Sequence, residues 1–287
     1  MLIYYVFRMA ALLVPLVPLR LGYFVLTLIA ELSCTFRPQA CRIVEANLRR
    51  VLGPDADERT VKATARRVFH NGARNYFDLF RVRRLDLEQV RNIVTVEGWD
   101  NLEQARRPGK GAILAAAHLG NLDIVAQAAA ANSLLVTIPV EHLSPQKLFD
   151  LVIGIRQTKG VSFVPVDGGA LKAIYRALGR NEVVAIASDR DVLKNGVEVT
   201  FFGETTTVPN APAILALRTG AAILPTCSLR HPDGTYSVRM EPALDVRYTG
   251  DLRQDVRYNT QQIVHALERF IRENPEQWVV FEPVWRR

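Results

Sequence analysis

Residues 112–131, AILAAAHLGNLDIVAQAAAA, contain the stretch that decides the fold. The first six residues form a continuous apolar run, which is typical of a buried strand in a parallel sheet. From about residue 121 the apolar positions fit a helix, and the polar turn between the two elements contains His118. A strand followed directly by a helix is the repeating unit of α/β domains. The stretch therefore predicts an α/β fold with His118 at the carboxyl end of a buried strand.

The same alternation continues on both sides of this stretch. Short apolar runs are separated by stretches of 10–15 residues with helical periodicity, which favours a mostly parallel central sheet flanked by helices. We predict one such domain over residues 37–287. Its expected strands are 93–97, 112–117, 134–139, 162–166, 182–187, 197–202, 221–229, 235–240 and 243–247, and its expected helices are 38–52, 57–80, 121–132, 144–158, 169–179 and 251–273.

Residues 1–36 form a second unit with a different composition. The segment is strongly apolar, but Arg8, Arg20, Glu31 and two prolines interrupt it, whereas a membrane span needs about 20 uninterrupted apolar residues. We predict a helical, membrane-associating layer that lies in or against the bilayer interface. A buried hairpin of two helices and a true span are the alternatives.

The charge balance points to anionic partners. Lys and Arg number 36 against 29 Asp and Glu, a net charge of +7, which favours lipid headgroups, nucleotide phosphates or nucleic acid. Codon bias toward arginine is an equally good explanation. The arginine pairs are scattered along the chain, which speaks against a nucleic-acid-binding module.

The cysteine pattern does not predict a disulfide-stabilised fold. Cys34, Cys41 and Cys227 are too few for a disulfide scaffold and do not form a CxxC or zinc pattern. We therefore expect a reducing compartment, the cytoplasm, and no metal.

The spacing of His118 and Asp123 suggests acid–base chemistry. On one continuous helix the two side chains would lie about 140° apart, given ~3.6 residues per turn. With His118 in the turn and Asp123 in the first helical turn, the carboxylate can fix the imidazole tautomer and leave the other nitrogen as a base. The free amides of the helix N-terminus could stabilise an oxyanion. A structural histidine beside a helix-capping acid explains the same spacing.

Other motifs limit the chemistry further. SDRD at 188–191 follows another buried strand, and Glu198 stands among apolar strand residues. The chain lacks a GxSxG elbow and a GxxxxGK[ST] loop, which argues against a serine hydrolase and a P-loop enzyme. Without a nucleophile, a His–Asp pair most simply acts as a general base on a hydroxyl.

Several motifs in order carry a family resemblance. HLGNLD at 118–123, SDRD at 188–191, GVEV and FFG within 196–203 and PAILALRTGAAILP at 212–225 together resemble the lipid A biosynthesis acyltransferase family. The wording is closest to its phosphatidylinositol mannoside acyltransferase branch. A late lipid A acyltransferase is the alternative within the family, although those enzymes typically carry Glu where this chain has Asp123.

The resemblance implies a mechanism and partners. His118 and Asp123 would be the catalytic dyad, and acyl-CoA or acyl carrier protein the thioester donor, with no other cofactor. The acceptor would be a glycolipid, and the protein would have a hydrophobic groove for the acyl chain. The protein would lie on the cytoplasmic face of the inner membrane, as a peripheral or monotopic protein. Membrane lipid would be a partner, and nucleic acid would not. A hydrolase and a basic binding protein without catalysis are the rivals. Substrate contacts are expected from Glu141, Arg156 and Glu198, as the resemblance implies, and from the motif residues Asn121, Asp189, Arg190 and Asp191.

Overall fold

The structure is a computed structural model that describes residues 1–36, 38–158, 160–166 and 169–285, without the side chains of residues 32–36 and 83. The described helices are α1 Leu2–Leu13, α2 Leu19–Phe36, α3 Pro38–Leu52, α4 Glu58–Arg81, α5 Leu87–Ile93, α6 Trp99–Arg106, α7 Leu122–Ala131, α8 Gln146–Arg156, α9 Ala170–Gly179, α10 Ala211–Thr219 and α11 Leu252–Glu273. The described strands are β1 Val94–Glu97, β2 Ala112–Ala116, β3 Val136–Val140, β4 Val161–Pro165, β5 Val183–Ala187, β6 Val197–Phe201, β7 Glu204–Val208, β8 Ala222–Arg230 and β9 Tyr236–Met240.

The predicted mostly parallel sheet is confirmed. Across the described residues it has seven strands in the order β1-β9-β8-β2-β5-β3-β4, and β8–β9 is its antiparallel pairing. Strand β2 lies between β8 and β5 and is parallel to both. Its residues Ala112, Ile113 and Ala115 have no exposed surface, as expected for a strand covered on both faces. The carboxyl end of β2 therefore opens at the middle of the sheet, where ligands usually bind in such folds.

The N-terminal layer is helical, as predicted, and packs on the long helix α4. Phe7 of α1 lies edge-on to Phe80, with 5.5 Å between ring centroids, and Tyr23 of α2 lies edge-on to Phe77 at 5.6 Å. Helix α1 contains no buried residue, unlike a helix of the buried hairpin that was the alternative. None of the described helices is both long enough and apolar enough to cross a bilayer.

Most predicted elements agree with the structure to within two residues. The expected strand at 243–247 is wrong: this segment is irregular, and the amide of Leu244 bonds to the carbonyl of Ile223 beside the sheet. Pro242, which has no N–H to donate, precedes it and disfavours a regular strand pairing. The sequence prediction missed β7, α5, α6 and α10.

The three cysteines differ in state. Cys227 is a buried thiol, Cys41 is disulfide-bonded, and the side chain of Cys34 lies outside the described residues. A disulfide at Cys41 weakens the argument from cysteine pattern to a reducing compartment. The cytoplasmic location therefore stays a prediction.

Gly22 tests how tightly the N-terminal layer is packed. A Cβ atom at Gly22 would lie 2.1 Å from the ring of Phe77, whereas one at Gly154 in α8 would meet nothing within 4 Å. We expect Gly22→Ala to destabilise the protein by about 1–3 kcal/mol, because α2 must move away from α4. The matched control Gly154→Ala should be neutral or stabilise by about 0.5–1 kcal/mol through helix propensity. Thermal unfolding of both variants checks this, and equal melting temperatures would contradict the close packing.

Candidate functional site

His118 lies in the turn between β2 and α7, and its backbone is fixed by a distant segment. The amide of Val279 donates to the carbonyl of His118 at 2.9 Å, and the amide of Gly120 donates to the carbonyl of Gln277 at 3.0 Å. These bonds form a short antiparallel bridge between the turn and residues 277–279. The predicted position of His118, at the carboxyl end of a buried strand, is confirmed.

Two side chains hold the remaining carbonyls of this turn. The hydroxyl of Ser228 donates to the carbonyl of Leu119 at 2.6 Å, and the amide of Asn75 donates to the carbonyl of Gly120 at 2.6 Å. Gly120 has a φ of +69°, and a Cβ there would lie 2.3 Å from the carbonyl oxygen of Ser228. Because only glycine fits both the left-handed backbone and this close approach, the turn has one geometry.

The imidazole of His118 pairs with Asp189. Nδ1 of His118 lies 2.7 Å from Oδ1 of Asp189, and the backbone amide of His118 donates to Oδ2 at 3.0 Å. The pairing follows from the sheet, since Ala116 of β2 is in register with Ala187 of β5. His118 and Asp189 each come two residues after that pair, at neighbouring strand ends.

Asp189 is ionised although it has no exposed surface. Burial alone would raise the pKa of Asp189, but the charge of His118 nearby and three donated hydrogen bonds hold it below its usual range. The third donor is the indole N–H of Trp278, 2.8 Å from Oδ2. An ionised carboxylate only accepts hydrogen bonds, so the neutral tautomer of the imidazole that fits this contact has its proton on Nδ1 and its lone pair on Nε2.

The free nitrogen of His118 faces outward. The side chain of His118 is 31% exposed, and Nε2 has no hydrogen-bond partner among the described residues. Asp189 fixes the tautomer through Nδ1, and the other nitrogen is open to a bound molecule. This is the arrangement of a general base.

Asp123 does not form the hydrogen bond that its spacing suggested. Its carboxylate pairs with Arg156 at the end of α8, with 2.6 Å between Oδ1 and Nε and 3.4 Å between Oδ2 and Nη2. Between the two described side chains of His118 and Asp123 there is no hydrogen bond or ion pair. The expected His118–Asp123 contact is therefore wrong, because the start of α7 directs Asp123 toward α8. A role for Asp123 in catalysis stays a prediction.

The helix N-terminus is also less open than expected. Oδ1 of Asn121 accepts from the amides of Asp123 and Ile124, at 3.1 Å each, and so caps α7. These two amides are already bonded and cannot also bind an oxyanion. Asn121 itself is 1% exposed. It supports the turn that carries His118, and the predicted contact with substrate would require it to move.

Arg190 and Glu141 are brought together at the same edge of the sheet. Nη2 of Arg190 lies 2.9 Å from Oε2 of Glu141, and Nε lies 3.7 Å from Oε2 of Glu282. The guanidinium is thus shared by two carboxylates, and one of its sides lines a small cavity with Glu282. The expected substrate contacts of Arg190 and Glu141 stay predictions.

Asp191 and Glu198 have different surroundings. Asp191 accepts from the backbone amides of Asn195 and Gly196, so it closes the loop before β6. Glu198 lies on the β6–β7 hairpin with its side chain 62% exposed, 3.6 Å from Arg257 of α11. No described contact connects either residue to His118.

Several residues that build the site were not predicted from the sequence. Trp278 lies in the stretch PEQW at 275–278 and is 2% exposed. Asn75 lies on α4, on the same side of the helix as Asp78. An asparagine or tryptophan alone does not predict such a contact, because it depends on how distant elements pack.

Comparison with known proteins places the chain in a family. The whole chain, residues 1–287, matches the bacterial lipid A biosynthesis acyltransferase family. The chain belongs to this family. The resemblance inferred from HLGNLD and SDRD is thereby confirmed.

Relatives within the lipid A acyltransferase family are named phosphatidylinositol mannoside acyltransferases. Those of two Mycobacterium tuberculosis strains are 34% identical over 193 residues, which is 66% of this chain. The chain spans 59% of the length of these two relatives. The relative from Mycolicibacterium smegmatis is 31% identical over 245 residues, covering 83% of this chain and 77% of that protein.

The partner of His118 can be tested by its bonded ring proton. In NMR spectra with ¹⁵N-labelled histidine, we expect the Nδ1 proton of His118 downfield and slowed in exchange, because a buried carboxylate holds it. Asp189→Asn should remove this signal, while Asp123→Asn should keep it. His118→Gln assigns the resonance. Loss of the signal in Asp123→Asn alone would show that Asp123 is the partner.

Proposed function

We propose that this protein transfers a fatty acyl group from an acyl thioester to a hydroxyl of a glycolipid, with His118 as general base. The observation that carries the proposal is the outward Nε2 of His118, backed by the buried carboxylate of Asp189. Membership of an acyltransferase family supports the reaction class.

The chemistry needs no acyl-enzyme. Nε2 of His118 takes the proton of the acceptor hydroxyl while the oxygen of that hydroxyl attacks the thioester carbonyl carbon. The tetrahedral intermediate collapses, the C–S bond breaks, and the departing thiolate takes the proton back from Nε2. Asp189 stabilises the imidazolium that exists between the two transfers. Holding the hydroxyl and the thioester together contributes the rest of the rate enhancement.

Arg156 is a cation suited to a negative group of the substrate. Asp123 orients it, and its side chain is 27% exposed. By contrast, Arg190 has two carboxylates near its guanidinium. We infer that Arg156 contacts a phosphate or the developing oxyanion, and that Asp123 contributes by holding Arg156.

The names of the relatives support a glycolipid acceptor. The relatives are named for a phosphatidylinositol mannoside, and we propose a glycolipid of this kind as acceptor here rather than a lipid A precursor. The donor is proposed to be acyl-CoA or an acyl carrier protein. A groove for the acyl chain beside His118 is part of the proposal.

The N-terminal layer supports action at a membrane surface. Much of its apolar surface is exposed, and contiguous exposed apolar surface marks interaction sites. We propose that this face binds the bilayer interface, peripherally and at the cytoplasmic side of the inner membrane. The exposed large apolar residues of α1, α2 and the segment between them are Leu2, Ile3, Tyr5, Val6, Met9, Leu12, Leu13, Leu16, Leu19, Leu21, Phe24, Val25, Leu28 and Ile29.

Substitution of His118 tests the base. We expect His118→Ala to lower acyl transfer from palmitoyl-CoA to a phosphatidylinositol mannoside by at least about 10²-fold, the usual contribution of a general base. The double variant His118→Ala/Asp189→Asn should lose little more, because the two residues act as a unit.

The control for this experiment is His265→Ala, an exposed histidine of α11, which should transfer at the wild-type rate. Release of coenzyme A is measured with and without acceptor, so that hydrolysis is separated from transfer. Wild-type turnover in His118→Ala would refute the role of His118. Thioester cleavage that is independent of acceptor would favour a hydrolase.

Membrane binding by the N-terminal layer predicts a position-specific effect of polar substitution. Phe24 and Leu28 are 63% and 50% exposed on α2, and each buried apolar side chain contributes roughly 1.5–3 kcal/mol to insertion. Phe24→Ser/Leu28→Ser should therefore weaken flotation with anionic phospholipid vesicles by at least about tenfold. Leu135→Ser, at a leucine 51% exposed but outside this layer, is the control. Equal flotation of the two variants would locate the membrane contact elsewhere.

A further inference from the structure

A buried ion pair lies behind the turn that carries His118. The guanidinium Nη2 of Arg230 on β8 contacts Oδ2 of Asp78 on α4, and the two side chains are 7% and 6% exposed. Burying two charges is costly, and such pairs often fix a specific arrangement more than they add stability. The partners of this pair therefore indicate which arrangement it fixes.

Two of the partners support the His118 turn directly. Nδ2 of Asn121 donates to Oδ2 of Asp78 at 3.0 Å, and Nη2 of Arg230 donates to Oδ1 of Asn75 at 3.0 Å. Asn121 caps α7, and Asn75 holds the carbonyl of Gly120. The ion pair thus sets both residues that define the end of the turn.

A third partner comes from the N-terminal layer. The hydroxyl of Tyr23 on α2 donates to Oδ1 of Asp78 at 2.8 Å and accepts from Nη1 of Arg230 at 2.7 Å. The neighbouring Phe24, on the same helix, is 63% exposed. Helix α2 therefore presents one side to the surroundings and the other to the support of the catalytic turn.

The hydroxyl of Tyr23 is a permanent donor. Burial, and secondarily the charge of Asp78, raise the pKa of Tyr23 above its usual value. Burial also raises the pKa of Tyr236, which donates to the other oxygen of Asp78 at 3.0 Å. Both phenols stay protonated at physiological pH, so both oxygens of the carboxylate keep a phenol donor.

We propose that Tyr23 is a positioning residue for His118, which acts through the buried Asp78–Arg230 pair. The N-terminal apolar helix is then a part of the catalytic support as well as a membrane contact. Without the Tyr23 hydroxyl, Asp78 loses the donor to Oδ1, so its carboxylate is free to rotate. Rotation displaces Oδ2 from the amide of Asn121, which loosens the cap of α7 and the turn. The proposal concerns the acyl transfer assigned above to His118 and rests on it.

Tyr23→Phe in the full-length protein tests this, with hydrogen exchange and kinetics measured together. We expect the amides of residues 118–124 to exchange about tenfold faster, the effect of losing one hydrogen bond. The kcat of acyl transfer from palmitoyl-CoA to a phosphatidylinositol mannoside should fall by a similar factor, while flotation with vesicles stays unchanged. Exchange in β5, measured in the same spectra, corrects for any global loss of stability.

Thr27→Val is the matched control. Thr27 lies one turn further along α2, and its hydroxyl bonds to the carbonyl of Tyr23 within the same helix. We expect wild-type exchange at 118–124 and wild-type kcat. If Tyr23→Phe fails to fold, Tyr236→Phe removes the other phenol from Asp78 and should loosen the same turn.

The outcomes separate the two proposals. Wild-type exchange at 118–124 in Tyr23→Phe, or in Tyr236→Phe where it is needed, overturns the positioning role. The same holds if the loss of kcat is matched by an equal loss in Thr27→Val. Faster exchange of the turn in a protein whose wild-type form transfers no acyl group would leave the positioning intact and refute the acyltransferase assignment.

Discussion

The site depends on one carboxylate that must stay charged without any contact with water. Asp189 has no exposed surface, and its two oxygens accept from the imidazole and the amide of His118 and from the indole of Trp278. Each donor satisfies a charge that would otherwise be costly to bury. In return, the carboxylate fixes the ring plane, the tautomer and the backbone position of His118 at once. A single interaction therefore determines both the orientation of the imidazole and which of its nitrogens faces outward.

On the other side of the turn, the carboxylate of Asp123 binds an arginine instead of the imidazole. Asp123 also carries a charge, but it lies at the surface end of α7 and holds Arg156 rather than the imidazole. The two acids contact groups of different kinds: Asp189 pairs with the imidazole of His118, the proposed base, and Asp123 orients the guanidinium of Arg156. The cap formed by Asn121 occupies the amides of Asp123 and Ile124. The guanidinium of Arg156 and the dipole of α7 both contribute positive potential at this edge.

The positions of the strands and long helices along the chain were predictable from sequence. Buried strands stand out as short apolar runs, and the apolar period repeats several times in each long helix. Helices α5, α6 and α10, with 7, 8 and 9 residues, contain too few turns for such a pattern. His118 was also predictable, since it ends a buried run. Its partner was not, because β3 and β4 separate β2 from β5 along the chain, and periodicity does not specify which strands are neighbours. Once the register of Ala116 with Ala187 is known, the pairing with Asp189 follows directly, while Asp123 was favoured only by its closeness in sequence.

The bridge between the His118 turn and residues 277–279 has a consequence for biosynthesis. The donor from Trp278 to Asp189 arrives 89 residues after the carboxylate has been made, and the bonds from Val279 and to Gln277 arrive with it. Domains form as their segments leave the ribosome, so strands β2 and β5 can associate well before this segment emerges. A nascent chain would already expose the apolar helices α1 and α2 while the hydrogen bonds of residues 277–279 around His118 and Asp189 are still missing. With the bilayer contact proposed for residues 1–36, attachment would precede completion of the hydrogen bonds around His118 during translation.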